Sequence, residues 1–212
     1  DIRYYYAREP EAPMTFSPDA NYPVISIEKG GYQPRISAHW APDSGLPRVA
    51  ALHAGVKGNV IPGTAWTLLE GFDPKAIQAL AEECAHATGA AFTVTEQDGG
   101  LARVEVAGTS AHASLPEDGV NALTAILEMA ARLPAADSEG FRRLCALHAL
   151  FPHGDWRGEA AGIAMSDPEP GELTVCLDML DYTDGELSGA IDSRLPVCAT
   201  EQAVYDVLRG KL

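Results

Sequence analysis

Between residues 23 and 71 the chain alternates apolar and polar positions in short runs, each closed by Gly, Pro or Asp. These are PVISIEKG (23–30), QPRISAHW (33–40), RVAALHAGV (48–56) and GTAWTLLEG (63–71). A period of two places alternate side chains on opposite faces of a pleated backbone, so each run predicts a strand. The period then changes. In DPKAIQALAEECAHATG, Ile77, Leu80, Ala81 and Cys84 share one stripe of a helical repeat, with Asp73 as N-cap, Pro74 at the first helical position and Gly89 as the stop.

AAFTVTE and LARVEVAG flank Gln97-Asp98-Gly99-Gly100 and predict a hairpin. GVNALTAILEMAARL (119–133) and EGFRRLCALHALF (139–151) predict two further helices. ELTVCLDMLDY and ELSGAIDSRLPV predict a strand pair turning at Thr183-Asp184-Gly185, and TEQAVYDVLRG a closing helix capped by Thr200. No internal repeat and no long low-complexity linker occurs. Strands and helices in this order predict an α+β fold, with helices on one face of antiparallel sheet.

Composition narrows the function classes. With 212 residues and 46% apolar content, the chain can bury a sizeable core. A formal charge of −15, with only 15 Lys and Arg and no basic cluster, argues against nucleic acid or an anionic membrane as partner. No apolar run approaches the roughly 18 residues of a membrane span, and no basic-then-apolar leader opens the chain, so a cytoplasmic location is expected. Cys84, Cys145, Cys176 and Cys198 are widely spaced and form no C-x-x-C pair. Reduced thiols, mostly buried, are expected rather than a disulfide framework or a zinc site.

Six His and thirty acids invite a search for a metal site. The chain holds no H-E-x-x-H or H-x-H motif, no phosphate loop and no G-x-S-x-G elbow. A self-contained active site is therefore not expected. One segment differs in kind. In VAGTSAHASLPEDGVNA (106–122) a strand ends at Gly108, small residues surround His112, and a helix is expected to begin near Asp118 or Gly119. An imidazole among small neighbours is accessible and can donate a hydrogen bond to an oxyanion or polarise a carbonyl. A loop His can equally be a solvated or capping residue.

These residues carry a family resemblance. GTSAHASLPEDGVNA resembles the G-x-S-A-H-G-x-x-P-x-x-G-x-N-A signature of the M20 metallopeptidases. SPDANYPVISIEKG is similar to the P-D-A-x-F-P-V-I-x-x-E-K-G segment of their PepV-like and Sapep-like dipeptidase branch. GNVIPGTAW resembles the N-M-V-P segment of that branch, and AIDSRLPV its I-D-x-R-Y-P segment. The four occur in the family's order, from residue 15 to residue 197.

The resemblance implies a catalytic domain holding two divalent ions, expected to be zinc, and an inserted lid of two ferredoxin-like lobes that folds over a bound dipeptide. On that basis residues 1–30 are a remnant of the catalytic domain and 31–212 the lid. Asp19 matches a metal ligand, whose partners are expected on either side of this chain. With one ligand, the chain alone is expected neither to hold a metal tightly nor to be active. His112 matches the lid histidine that stabilises the tetrahedral oxyanion when a metal-bound hydroxide attacks the peptide carbonyl. Asn59 matches the asparagine that contacts substrate. Arg194 matches the arginine that binds the substrate's C-terminal carboxylate, a task suited to its planar fork.

From the residues alone, Asn59 could support a turn before Pro62, and Arg194 could be a solvated charge at a strand end. The chain departs from the family pattern at Gly63, Ala113, Asp178 and Leu195. A small residue is usual at Asp178 and an aromatic at Leu195. The reading from a different class is a stand-alone α+β binding or dimerisation module without catalysis.

Overall fold

The computed structural model describes residues 2–10, 13, 14 and 24–211. After a short helix α1 (Ile2–Tyr6), the strands are β1 (Gly30–Tyr32), β2 (Arg35–His39), β3 (Arg48–Ala54) and β4 (Thr64–Glu70). Helix α2 (Pro74–Thr88) precedes the hairpin β5 (Ala91–Gln97) and β6 (Leu101–Ala107). Helices α3 (Ala122–Arg132) and α4 (Glu139–Leu150) follow. The chain then forms β7 (Ser166–Asp167), β8 (Gly171–Glu172), β9 (Thr174–Thr183), β10 (Glu186–Leu195) and α5 (Glu201–Arg209).

Eight strands form one sheet in the order β1-β10-β9-β3-β4-β6-β5, with β2 also on β10, while β7 and β8 pair separately. Every pairing is antiparallel. The α+β architecture thus follows the expectation. The sheet has two halves, β3–β6 with α2 and α3, and β1, β2, β9 and β10. They fuse edge to edge where β3 pairs with β9, from Ala51 opposite Thr183 to Ala54 opposite Leu180. In the first half the order β4-β6-β5 is that of a ferredoxin-like lobe, with the place beside β4 taken by β3.

Alternation explains which residues turn inward. Val49, Leu52 and Ala54 of β3, Ala65 and Leu69 of β4, and Ala102, Val104 and Val106 of β6 are buried in one core. Ile77, Ala81 and Cys84 of α2 meet them as the stripe required. Helix α3 is buried almost all round, from Ala122 to Leu127 and at Met129 and Ala130, because α2, α4 and the sheet enclose it. Each large side chain fully buried there contributes about 1.5–3 kcal/mol through removal from water.

The caps act as read: Asp73 accepts from the Lys75 amide, Gly89 takes the left-handed conformation (φ 72°), and Thr200 accepts from the Ala203 amide. Two boundaries are corrected. Residues 24–29 are not a strand, and pairing begins only at Gly30, where β10 supplies a partner. Helix α3 starts at Ala122 rather than near 118, because Asn121 caps the Leu123 and Thr124 amides while Pro116–Asp118 closes its own 3-10 turn. The four cysteines are free; Cys84 and Cys176 are buried, Cys145 partly so, and Cys198 is exposed. Among the described residues no helix is long and apolar enough to cross a membrane.

Candidate functional site

The loop carrying His112 is closed at its base by reciprocal backbone bonds between Thr109 and Val120 (2.9 and 3.0 Å). Its tip lies along the segment that follows β3. The Ile61 amide donates to the Ala111 carbonyl (2.9 Å), and the Ala113 amide to the Asn59 carbonyl (3.0 Å). The Gly108 amide donates to Gly63, and the Ala122 amide to Pro62 (both 2.9 Å). Segments 59–63 and 108–113 therefore form a paired ribbon, with His112 bridged to Val60. His112 and Asn59, far apart in sequence, become neighbours.

His112 is exposed, and its Nδ1 accepts the Ser114 backbone amide (3.1 Å) with the Ser114 hydroxyl at 2.7 Å. A lone pair occupied at Nδ1 places the proton of the neutral ring on Nε2, so Nε2–H is left as a donor. Ser114 was not recognised from sequence, although a hydroxyl two residues after a loop histidine is a local signal of this kind.

Asn59 has a positive φ of 64°, uncommon for a side-chain-bearing residue but tolerated by Asn. Its amide donates to Asp178 Oδ2 at 2.8 Å. Asp178 is the extra residue of a bulge between β9 and β10, where Ala190 pairs with Met179 and Ile191 with Leu177. Neighbouring Gly55 (φ 80°) is required by the approach, since a Cβ there would lie 2.0 Å from the Asp178 carbonyl. Gly63, another departure, faces Ser110 so closely that a Cβ would stand 2.3 Å from its hydroxyl. Ala113, a third, is fully buried, and its methyl packs with Ile61 and Cys176.

Arg194 is not a solvated strand-end charge. Its Nε and Nη2 donate to the two carboxylate oxygens of Asp192 (2.8 and 3.1 Å), and Asp192 is completely buried. Gln33 also donates to Asp192. One edge of the guanidinium is thus committed, leaving the end-on Nη1/Nη2 fork for another carboxylate. Leu195, the remaining departure, is buried and packs against Gly30.

Burial pushes the Asp178 carboxyl up to about 6, and the nearby Asp192 charge adds to this, while the Cys176 thiol, the Asn59 amide and Arg194 oppose it. Asp178 thus bonds the Asn59 ribbon and feels the charges of Asp192 and Arg194 on β10 without a hydrogen bond to either. Burial also raises the Cys176 thiol well above its ordinary value. Beside the ribbon lies a cavity of about 280 Å³, lined by Ile61, Pro116, Asn121, His153, Trp156 and Cys176 among others. Asn121 joins α3 to β9 by donating to the Leu177 carbonyl (3.1 Å). His153, held by Thr124 (2.9 Å) and the Thr88 carbonyl (3.0 Å), has its pKa lowered by burial.

The raised Asp178 pKa has a defined stability consequence. Relative to an unfolded carboxyl near 3.8, the folded state binds the proton more tightly. The stabilisation is present below that value and lost as pH rises through about 6. Asp178→Asn is therefore expected to gain about 2–3 kcal/mol relative to the parent between acid and neutral pH. Urea denaturation of both proteins at either end of that window checks this, and a pH-independent difference would contradict it.

Asp19 lies outside the described residues. Among the described residues no group of three or more His, Cys, Asp or Glu could hold a metal ion. His112 and Arg194 offer hydrogen-bond donors, the latter as a guanidinium fork suited to a carboxylate.

The M20 dimer family model, described as a peptidase dimerisation domain, matches residues 94–174. The Bacillus subtilis (strain 168) protein YtjP, which carries a dipeptidase name, is 27% identical over 212 residues, covering 99% of this chain and 45% of its own length. The Beta-Ala-Xaa dipeptidase of Lactobacillus delbrueckii subsp. lactis is 27% identical over 183 residues, covering 85% of this chain and 38% of its own. The chain thus spans less than half the length of these curated relatives. These matches make the chain similar to the dimerisation, or lid, region of M20 family dipeptidases.

Proposed function

We propose that the chain is the lid of a metal-dependent dipeptidase, in which His112 stabilises the oxyanion, Asn59 contacts the substrate and Arg194 binds its C-terminal carboxylate. The observation that carries this reading is the ribbon of segments 59–63 and 108–113, which sets Asn59 beside His112. The Asp178 carboxyl, bonded to the Asn59 amide, lies within electrostatic reach of Arg194, which is itself bonded to Asp192. An imidazole donating from Nε2 suits an oxygen that gains charge as the peptide carbonyl is attacked, because the hydrogen bond strengthens there and the donor is not consumed. The end-on fork of Arg194 suits a free carboxylate and rejects a neutral C-terminus, since its donors would then lack charged acceptors.

The divalent ions implied by the family would be held outside the described residues, with Asp19 as this chain's contribution. They would supply Lewis acidity there. Residues 31–212 would form the lid and the chain's beginning a part of the catalytic region.

The test is hydrolysis by the intact protein of dipeptides and of their C-terminal amides. Cleavage that is lost on chelation and falls at least about tenfold in kcat/KM on amidation is expected. Absence of dipeptide cleavage would leave the region as a binding or self-association module.

A further inference from the structure

We propose that Asp178 is a positioning residue: its buried carboxylate, turned out of register by the β9–β10 bulge, holds Asn59 in its left-handed backbone conformation and fixes the substrate-facing ribbon. For its catalytic consequence this rests on the lid reading above; its structural content does not. The geometry is specific. Asp178 is 1% exposed, and the hydrogen bond its Oδ2 accepts from the Asn59 amide crosses from β9 to the loop after β3. Left-handed backbone at Asn59 is a strained choice that persists where surroundings impose it. Here the surroundings are this one acceptor, the close approach of Gly55 to the Asp178 carbonyl, and the Ala113 amide on the Asn59 carbonyl.

A bulge is the means by which a strand re-aims one side chain without losing its ladder on either side. A small residue at 178, as the family resemblance leads one to expect, could not reach the Asn59 amide. The hold therefore depends on the carboxylate at position 178. Its strength depends on charge, because an ionised acceptor makes the stronger hydrogen bond. The groups facing the carboxyl are Cys176 on its own strand, Asp192 and Arg194 on β10, and the Asn59 amide. The ribbon is therefore gripped more firmly at neutral pH than in mild acid.

Nitrogen-15-labelled chain gives the direct test. The Asn59 amide resonance is expected to move with a midpoint near pH 6, to stay flat in Asp178→Asn, and to keep moving in His112→Gln. Exchange of that amide with solvent is expected to be about tenfold faster in Asp178→Ala and close to the parent in Asp178→Asn, which retains an acceptor. In the intact enzyme Asp178→Ala should lower kcat/KM about tenfold, with Asp178→Asn within about threefold of the parent. An Asn59 amide that neither titrates with Asp178 nor exchanges faster in Asp178→Ala overturns the proposal. If the parent cleaves no dipeptide, the lid reading fails while the amide measurements still decide this one. If Asp178→Ala does not fold, the flat Asn59 titration in Asp178→Asn supports the proposal and a preserved one overturns it.

Discussion

In the intact enzyme, His112→Ala is expected to lower kcat by about 10²–10³-fold with little change in KM, as befits loss of one donor that acts mainly on the transition state. The magnitude comes from the position of the proton. Ser114 occupies Nδ1, so Nε2–H is committed outward and has no partner among the described residues. It can therefore strengthen its bond as an oxyanion develops, and it costs nothing to free. His112 is also exposed, so its truncation should shift stability by less than about 0.5 kcal/mol. Steady-state kinetics and a thermal melt on the same variant separate the two effects. An unchanged kcat would remove His112 from the chemistry, and a large loss of stability would make its role structural.

Arg194→Ala is expected to raise KM for dipeptides by roughly 10²-fold, the worth of a charge-assisted pair of hydrogen bonds. It should also destabilise the fold by about 2–4 kcal/mol. Asp192 is fully buried and would keep only Gln33 as partner, which leaves a buried charge without its counter-ion. Arg194→Lys should restore part of the stability but little of the substrate binding, because an ammonium has no fork to share between Asp192 and a second carboxylate. The decisive comparison is KM for a dipeptide against its C-terminal amide. If the parent and Arg194→Ala distinguish the two equally, Arg194 does not hold the carboxylate, and its partnership with Asp192 is structural alone.

Much of this protein could be read along the chain, and for local reasons. Helix α2 is legible because its stripe, its Asp73 cap and its Gly89 stop lie within one short stretch. The β5–β6 hairpin is legible because Asp98-Gly99-Gly100 supplies the positive φ its turn needs at Gly99 and Gly100. His112, Asn59 and Arg194 were legible as candidates through motif resemblance, since each motif is short and contiguous.

What misled was equally local. PVISIEKG alternates like a strand, yet residues 24–29 find no neighbouring strand in the sheet, and alternation without a partner leaves backbone groups unpaired. GVNALTA looks helical from its glycine, yet Asn121 satisfies the first amides better as a cap than as a helical residue. Asp178 carried a visible signal, an acid within the apolar run VCLDML, but nothing in the sequence names its partner 119 residues away.

The sequence by itself determined the alternation of elements, the helix caps, the acidic surface and the identity of the donors, because these depend on neighbours along the chain. Only the tertiary structure decided that β3 and β9 fuse two half-sheets, that the ribbon sets Asn59 beside His112, and that a bulge turns Asp178 toward it. It also decided that one edge of the Arg194 guanidinium is already spent on Asp192. Those outcomes depend on register and burial, which arise when distant segments exclude water together, and no short window of sequence contains both sides of such a contact.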